Sequence, residues 1–295
     1  MARQEGFEAF PLRLVTPGDH RELFYEPASG GYSLRTADGD ACFPIEDEIP
    51  LFCPVPAVDE AFEKRVIQDL RGTELTVDSL IEQQWTNTEH PTPTDDVAGL
   101  REAMLLGGPI LDVASGPGGG LAAFALRLDT NAEVVMNDIS LWPLRRWQKL
   151  ARRKGCWPNL RFAQFDARTM PLASNTVPVV VSRCGISETA DGYAVISEIF
   201  RVLRPGGRFQ AAESMPEIRG TANSVPGFRE ACRHRFQFVP DYGEALRDAG
   251  FESIRVNATG GRPIVPGEGA LADFTEEFKV DVYLRECSLT ATKPA

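Results

Sequence analysis

A doubly wound α/β domain is the fold class the sequence predicts, and three observations carry it. From about residue 96 onward, short apolar runs alternate with helical patterns. The runs are near-continuously apolar, as parallel strands buried on both faces require. A glycine-rich loop, Ser115–Gly120 (SGPGGG), follows the first run, and such a sheet binds ligands at the carboxyl ends of its strands beside that first strand.

The elements follow in order. Pro109–Val113 (PILDV) predicts a buried strand, and a helix is expected from about Leu121 to Leu128. Glu133–Asp138 (EVVMND) predicts the second strand, followed by a basic helix over Trp142–Lys154. Leu160–Phe165 and Val177–Ser182 read as the third and fourth strands. Val195, Ile199 and Val202 share one face of a helix over Tyr193–Leu203, which Arg204-Pro205-Gly206-Gly207 stops. Arg208–Glu213 is the expected fifth strand, Asp241–Ala249 a further helix, and Ser253–Asn257 and Val280–Thr292 the last strands.

The first 95 residues have a different texture. Between Glu22 and Phe52, turn signals separate about three short strands, a meander too small to be stable alone. Phe62, Val66, Ile67 and Leu70 then follow helical spacing, and Leu80, Ile81 and Trp85 form a second apolar cluster. The stretch His90-Pro91-Thr92-Pro93 is a linker by composition. The expected division is therefore an accessory region over 1–95 and the α/β domain over 96–295, with an insertion around 214–242.

Composition narrows the function. The 295 residues carry 31 basic and 42 acidic side chains, a net charge of −11, which disfavours a surface built to grip nucleic acid or anionic lipid. No apolar run has membrane-spanning length, and Met1-Ala2-Arg3-Gln4-Glu5-Gly6 lacks the apolar core of a secretory signal, so a cytoplasmic protein is expected. The six cysteines include no CxxC pair and the three histidines lie far apart, which predicts no metal site.

The glycine loop itself excludes two ligand classes. Leu121 stands where the dinucleotide fingerprint requires its last glycine, and no Gly-Lys-Ser/Thr ending is present. No lysine or arginine occurs between Asp112 and Leu126 to pair with a phosphate, whereas an acidic residue there suits a cationic ligand. Asp138 ends the second strand 22 residues after Gly116, a place from which a carboxylate accepts hydrogen bonds from two ribose hydroxyls. A strand-end position predicts that its removal leaves folding nearly unchanged. Asp166 ends the third strand, where it suits either an adenine amino group or a helix N-cap.

Ile110-Leu111-Asp112-Val113-Ala114-Ser115-Gly116-Pro117-Gly118, Asp138, Asp166 with Met170-Pro171-Leu172, and Arg201-Val202-Leu203-Arg204-Pro205-Gly206-Gly207 together resemble the class I S-adenosylmethionine-dependent methyltransferases over about residues 100–215. The resemblance implies a Rossmann-like, mostly parallel seven-stranded sheet whose last hairpin contains one antiparallel strand. It implies S-adenosyl-L-methionine as cofactor, with Gly116 and Gly118 beneath its methionine part, Asp138 at the ribose and Asp166 near adenine. Asp112, Ala114, Ser115, Pro117, Ile139, Ala167 and Arg183 complete the expected cofactor contacts. Ala114 stands where the family usually has glycine. Phe43–Pro50 resembles the end of a small zinc-ribbon-like domain, but the paired cysteines that would hold zinc are missing.

A sulfonium is already an excellent leaving group, so such an enzyme mainly aligns the acceptor with the methyl carbon and excludes water. A weakly acidic acceptor also needs a base within hydrogen-bond reach. The best single candidate is His234, whose ordinary pKa suits proton transfer near neutrality, with Tyr242 and Glu213 as competing polar groups. The surrounding aromatics Phe228, Phe236 and Phe238 suit an apolar acceptor pocket, and residues 1–90 are expected to close over the cofactor with Trp85 nearest the cleft. The expected activity is methyl transfer to a small organic molecule. The alternatives are methylation of RNA or protein, or a protein that keeps the cofactor only as a structural ligand.

Overall fold

The computed structural model describes residues 10–28, 31–53, 76, 78–83, 95–117, 120–129, 131–155, 159–189, 191–218, 227, 230, 239–264, 275 and 279–295. The helical pattern at Phe62–Leu70, together with Trp85, Gly118, Phe228, His234, Phe236 and Phe238, lies outside the described residues.

The first strand of the α/β domain, β5 (Ile110–Asp112), sits in the middle of a seven-stranded sheet. The N-terminal strands β1–β4 form a separate sheet, and helix α1 (Asp95–Met104) precedes β5. After β5 come α2 (Gly120–Leu128), β6 (Val134–Asp138), α3 (Leu141–Lys154) and β7 (Leu160–Gln164). The chain then crosses back to β8 (Val177–Arg183), α4 (Gly192–Val202), β9 (Leu203–Ile218), α5 (Tyr242–Asp248), β10 (Glu252–Pro263) and β11 (Val282–Thr292). The spatial order is β10-β11-β9-β8-β5-β6-β7. All neighbouring pairs from β7 to β9 are parallel, and β11 runs antiparallel to both β9 and β10. The winding reverses between β5 and β8, which puts the glycine loop and the loop after β8 side by side at the crevice.

The apolar runs are continuous because both faces are covered. Leu111, Val135 and Val180 face one core with α4 and α5, while Ile110, Val134, Met136, Val179 and Val181 face the other with α1, α2 and α3. Helix α3 is closed at both ends. Ser140 Oγ accepts from Trp142 N at its start, and Gly155, at φ 76°, returns its N–H to Ala151 and Arg152 carbonyls at its end. Its buried stripe includes Trp147, which is fully enclosed.

Two boundaries differ from the sequence reading. The fifth strand does not stop at Glu213: β9 pairs with β11 without interruption from Arg208↔Thr292 to Ile218↔Val282, so residues 214–218 are strand and not insertion. It also begins at Leu203, because the Arg204-Pro205-Gly206-Gly207 turn is accommodated inside it. The β8–β9 register shifts between Val177 and Val179, with Gly206 at φ 71°.

The N-terminal meander has four strands rather than three: β1 (Leu23–Ala28), β2 (Gly31–Thr36), β3 (Cys42–Glu46) and β4 (Ile49–Pro50). The two-residue β4 pairs only as Ile45↔Pro50 and Glu46↔Ile49, around a turn in which Asp47 and Glu48 both have positive φ. Just beyond it, Leu51 bridges Gln164 in parallel and Phe52 N donates to Gln164 O at 2.9 Å, so the meander joins the edge strand β7 of the large sheet. Leu14 bridges Leu172, and Val15 N donates to Pro171 O at 2.9 Å.

The basic face of α3 completes this joint. Arg145 pairs with Glu46 at 2.9 Å, Gln148 Nε2 donates to Asp47 O at 2.6 Å, and Lys154 meets Glu82 at 3.1 Å. Arg146 pairs with Asp78 and Arg153 with Glu82, on residues 78–83, which are helical. Each exposed pair contributes about 0–1 kcal/mol, so their main effect is to fix orientation.

Candidate functional site: the cleft beside the first strand

The loop after β5 is held from three directions. Val113 N donates to Val181 O at 2.9 Å on β8, and Ser115 N to Asn137 O at 2.8 Å on β6. Gly116 N donates to Asp138 Oδ2 at 2.8 Å, while the indole Nε1 of the buried Trp147 donates to Gly116 O at 2.9 Å. Both backbone groups of Gly116, at φ 52°, are thus engaged. Ala114 takes the same left-handed region, at φ 50°, which explains why glycine would be easier there: a Cβ in this conformation costs roughly 1–2 kcal/mol.

Asp138 is only 4% exposed, and its second oxygen accepts from Ser140 N at 2.8 Å. The expectation that its loss would spare folding is therefore corrected, because the carboxylate closes the loop and caps the entry to α3. An ionised carboxylate has roughly four acceptor sites, and Gly116 N and Ser140 N take one on each oxygen. Asn137, fully buried, accepts from Ala114 N at 3.3 Å and donates to Phe165 O at 2.9 Å, tying the loop to the end of β7. Sequence reasoning missed it, although one amide in the apolar run EVVMND was the available signal.

Asp112 is 1% exposed, and its Oδ2 is without a hydrogen-bond partner among the described residues. Burial, reinforced by the charge of Asp138, pushes its carboxyl up to about 7 against the opposing bonds from Ser115 and Ala122 and the charge of Arg183. Ser115 is itself buried, Pro117 is half-buried, and Arg183 projects outward at the end of β8. Ile139 is half-buried, and its carbonyl accepts from Gln164 Nε2 at 2.7 Å.

At the end of β7, Asp166 faces a competitor for its carboxylate. Burial raises its pKa, but the bonds and charge of Arg168 outweigh this and hold the group below the usual range. Arg168 Nη2 lies 2.6 Å from Asp166 Oδ2, and Arg168 N donates to Oδ1 at 2.9 Å. Asp166 thus closes a local turn, and Ala167 beside it is buried. Cys53, where the meander ends, hydrogen-bonds Gln164 Oε1 at 3.1 Å and lies against Asp166.

The two acid–base candidates inside the described residues are enclosed. Tyr242 is 0% exposed and burial drives its hydroxyl well above 10, so direct proton exchange with an acceptor is not what this geometry offers. Glu213, 2% exposed, accepts from Ser182 Oγ at 2.9 Å, Ile186 N at 3.2 Å and Ser187 N at 3.1 Å. Burial pushes it up to about 7 despite those three donors. Cys184 is exposed, yet desolvation by the surrounding protein and then the charge of Glu213 push its thiol up to about 11, which does not favour a thiolate nucleophile.

The comparisons bear on this cleft directly. Residues 110–207, which run from β5 to the turn inside β9, match the family model for a methyltransferase domain. The chain is 31% identical over 153 residues to the ubiquinone/menaquinone biosynthesis C-methyltransferase UbiE of Idiomarina loihiensis, 52% of this chain and 57% of that protein. The enzyme of the same name from Erwinia tasmaniensis is 29% identical over 171 residues, 56% of this chain and 64% of that one. The matched region thus spans somewhat more than half the length of these relatives. The fold is shared with Haemonchus contortus phosphoethanolamine N-methyltransferase 2 in complex with S-adenosyl-L-methionine, at a TM-score of 0.51 and 17% identity, covering 92% of this chain and 71% of that one.

S-adenosylmethionine is the cofactor of such a domain, and the residues around the cleft fit it. The unpartnered, buried Asp112 Oδ2 and the carboxylate of Asp138 supply acceptors for a cationic, hydroxyl-bearing ligand. The described part of the loop brings no cation for a phosphate.

Proposed function

We propose that this protein transfers the methyl group of S-adenosylmethionine to a small organic acceptor by in-line displacement. The observation that carries the reading is the glycine loop of the methyltransferase segment, held between Asp138 and Trp147, with a second carboxylate, Asp112, buried behind it. In this reading Asp138 accepts from the ribose hydroxyls, the loop from Ala114 to Gly118 runs under the methionine part, and Asp166 and Ala167 border the adenine. The cofactor supplies the activated methyl group. The chain's own residues orient it and keep water from the cleft.

A small acceptor is favoured over RNA by charge. Arg145, Arg146, Arg153 and Lys154 of α3 are engaged with Glu46, Asp78 and Glu82 within the chain. The names of the relatives, C-methyltransferases of quinone biosynthesis, add a carbon acceptor on a small ring compound as the first class to assay. The accessory region over 1–95 ends its meander at Cys53 beside Asp166, which supports a role in covering the adenine side. Its likeness to a zinc-ribbon-like segment adds no metal to the reading, since the paired cysteines are missing. His234 remains the proposed base toward the acceptor.

Calorimetry with S-adenosylhomocysteine and NAD tests the cofactor, with binding of the first and not the second expected. Transfer of labelled methyl to candidate acceptors tests the activity. NAD binding at micromolar strength without response to S-adenosylhomocysteine would overturn the reading.

A further inference from the structure

Glu213 is a buried acidic group in the core, and its side-chain hydrogen bonds all lead to one loop. Its carboxylate collects Ser182 Oγ at the end of β8, then Ile186 N and Ser187 N at the start of the 3₁₀ turn Ile186–Glu188. Between these anchors, Cys184 stands at φ 55°, with its N–H donating to Ala212 O at 2.7 Å and its carbonyl accepting from Ser187 Oγ at 3.2 Å. Gly185 follows, pressed onto the cofactor loop. A Cβ there would lie 2.8 Å from the carbonyl oxygens of both Val113 and Ala114 and 2.7 Å from Ser182 Oγ. A chain of direct contacts therefore runs from Glu213 through residues 182–187 to the backbone that precedes Gly116.

We propose that Glu213 is a positioning residue of the cofactor cleft: from below, it fixes the loop after β8, and through Gly185 that loop fixes the glycine loop after β5. The inference rests on the reading of this cleft as the S-adenosylmethionine site. Three donors converging on two oxygens need an acceptor on both, which a carboxylate provides. Glutamine offers one acceptor oxygen and turns an NH₂ toward the remaining donor. A residue needed only for stability would change melting when replaced and leave affinity alone; Glu213 should do the reverse.

The test uses the full chain with Glu213→Gln and Ser182→Ala. Calorimetric titration of S-adenosylhomocysteine is combined with hydrogen–deuterium exchange of the peptides covering 112–117 and 182–188. Glu213→Gln is expected to bind about tenfold more weakly or worse. Its exchange should quicken in both peptides, while its melting temperature stays within a few degrees of the parent. Ser182→Ala, which removes one donor of the three, should move affinity and exchange the same way by less, and it decides the matter if Glu213→Gln does not fold. Affinity within about twofold of the parent in a variant whose 182–188 peptide exchanges faster overturns the proposal. So does faster exchange confined to 182–188. Absence of binding by the parent chain would strike the cofactor reading instead. The exchange comparison, made without ligand, then still tells whether Glu213 holds the two loops together.

Discussion

The loops after β5 and β8 are each tied down by a carboxylate from an adjacent strand, yet the two acids sit in opposite situations. Asp138 lies at the strand end beside the glycine loop, with its oxygens on Gly116 N and Ser140 N. Glu213 lies beneath its loop, where three donors and complete enclosure leave no approach for a ligand. In the proposed reading the same residue chemistry serves recognition in one place and support in the other.

The strongest way to sharpen the contrast is Asp138→Ala. Each charged hydrogen bond lost weakens binding by about 1.5–3 kcal/mol, so two ribose contacts predict a fall of at least a hundredfold in affinity for S-adenosylhomocysteine, read by calorimetry. The melting temperature should fall as well, since two backbone donors lose their acceptor. A variant with unchanged affinity would break the contrast by removing Asp138 from the site.

Asp112→Asn tests the other consequence of enclosure. With a folded value of about 7 against an ordinary 3.8, native Asp112 retains its proton where the unfolded chain has lost it. Its contribution to stability is therefore present in acid and declines as pH rises from about 4 to 7, by about 1.4 kcal/mol per unit. The asparagine variant lacks that decline. Its stability relative to the parent, measured by denaturant titration, should improve between pH 4 and pH 7 and then level off. Glu213, also raised to about 7, leaves a residual slope of the same sign in both proteins.

Ala114→Gly is expected to stabilise the chain by up to about 1 kcal/mol, the relief of a left-handed alanine less the added freedom of the unfolded glycine. Chemical denaturation at pH 7.5 would measure it. Arg145→Ala should have the smallest effect, about 0.5 kcal/mol or less, since both partners of its pair with Glu46 are half exposed. A loss above 2 kcal/mol would mean that the joint between α3 and the meander is far tighter than its exposed charges imply.

Much of this architecture was legible in the sequence because it is local. The runs ILDV, VVMND and VPVVV are mostly apolar, glycines mark the loop, and the spacing to Asp138 places a carboxylate at the next strand end. What escaped is set by pairing across long separations. The extension of β9 to Ile218 exists because Val282 lies opposite, and the joint at Leu51 and Phe52 exists because Gln164 lies beside them. The site divides in the same way. Asp138 announced itself by position, whereas the role of Glu213 depends on donors 26 to 31 residues away in the chain. Asp166 shows the limit of position alone: its strand-end place suggested a free acceptor, and Arg168, two residues on, takes much of the carboxylate.

The bridge from Leu51 to Gln164 also matters to the life of the protein in a crowded solution. A parallel sheet ending at β7 presents unpaired N–H and C=O groups, a template onto which a strand from another chain can add. Here the meander lays its own backbone against that border, with Phe52 N on Gln164 O and Cys53 N on the Gln164 side chain. The accessory region thus covers part of that border. Shortening the chain from its N-terminus should show first as aggregation on a sizing column, before any question of catalysis arises.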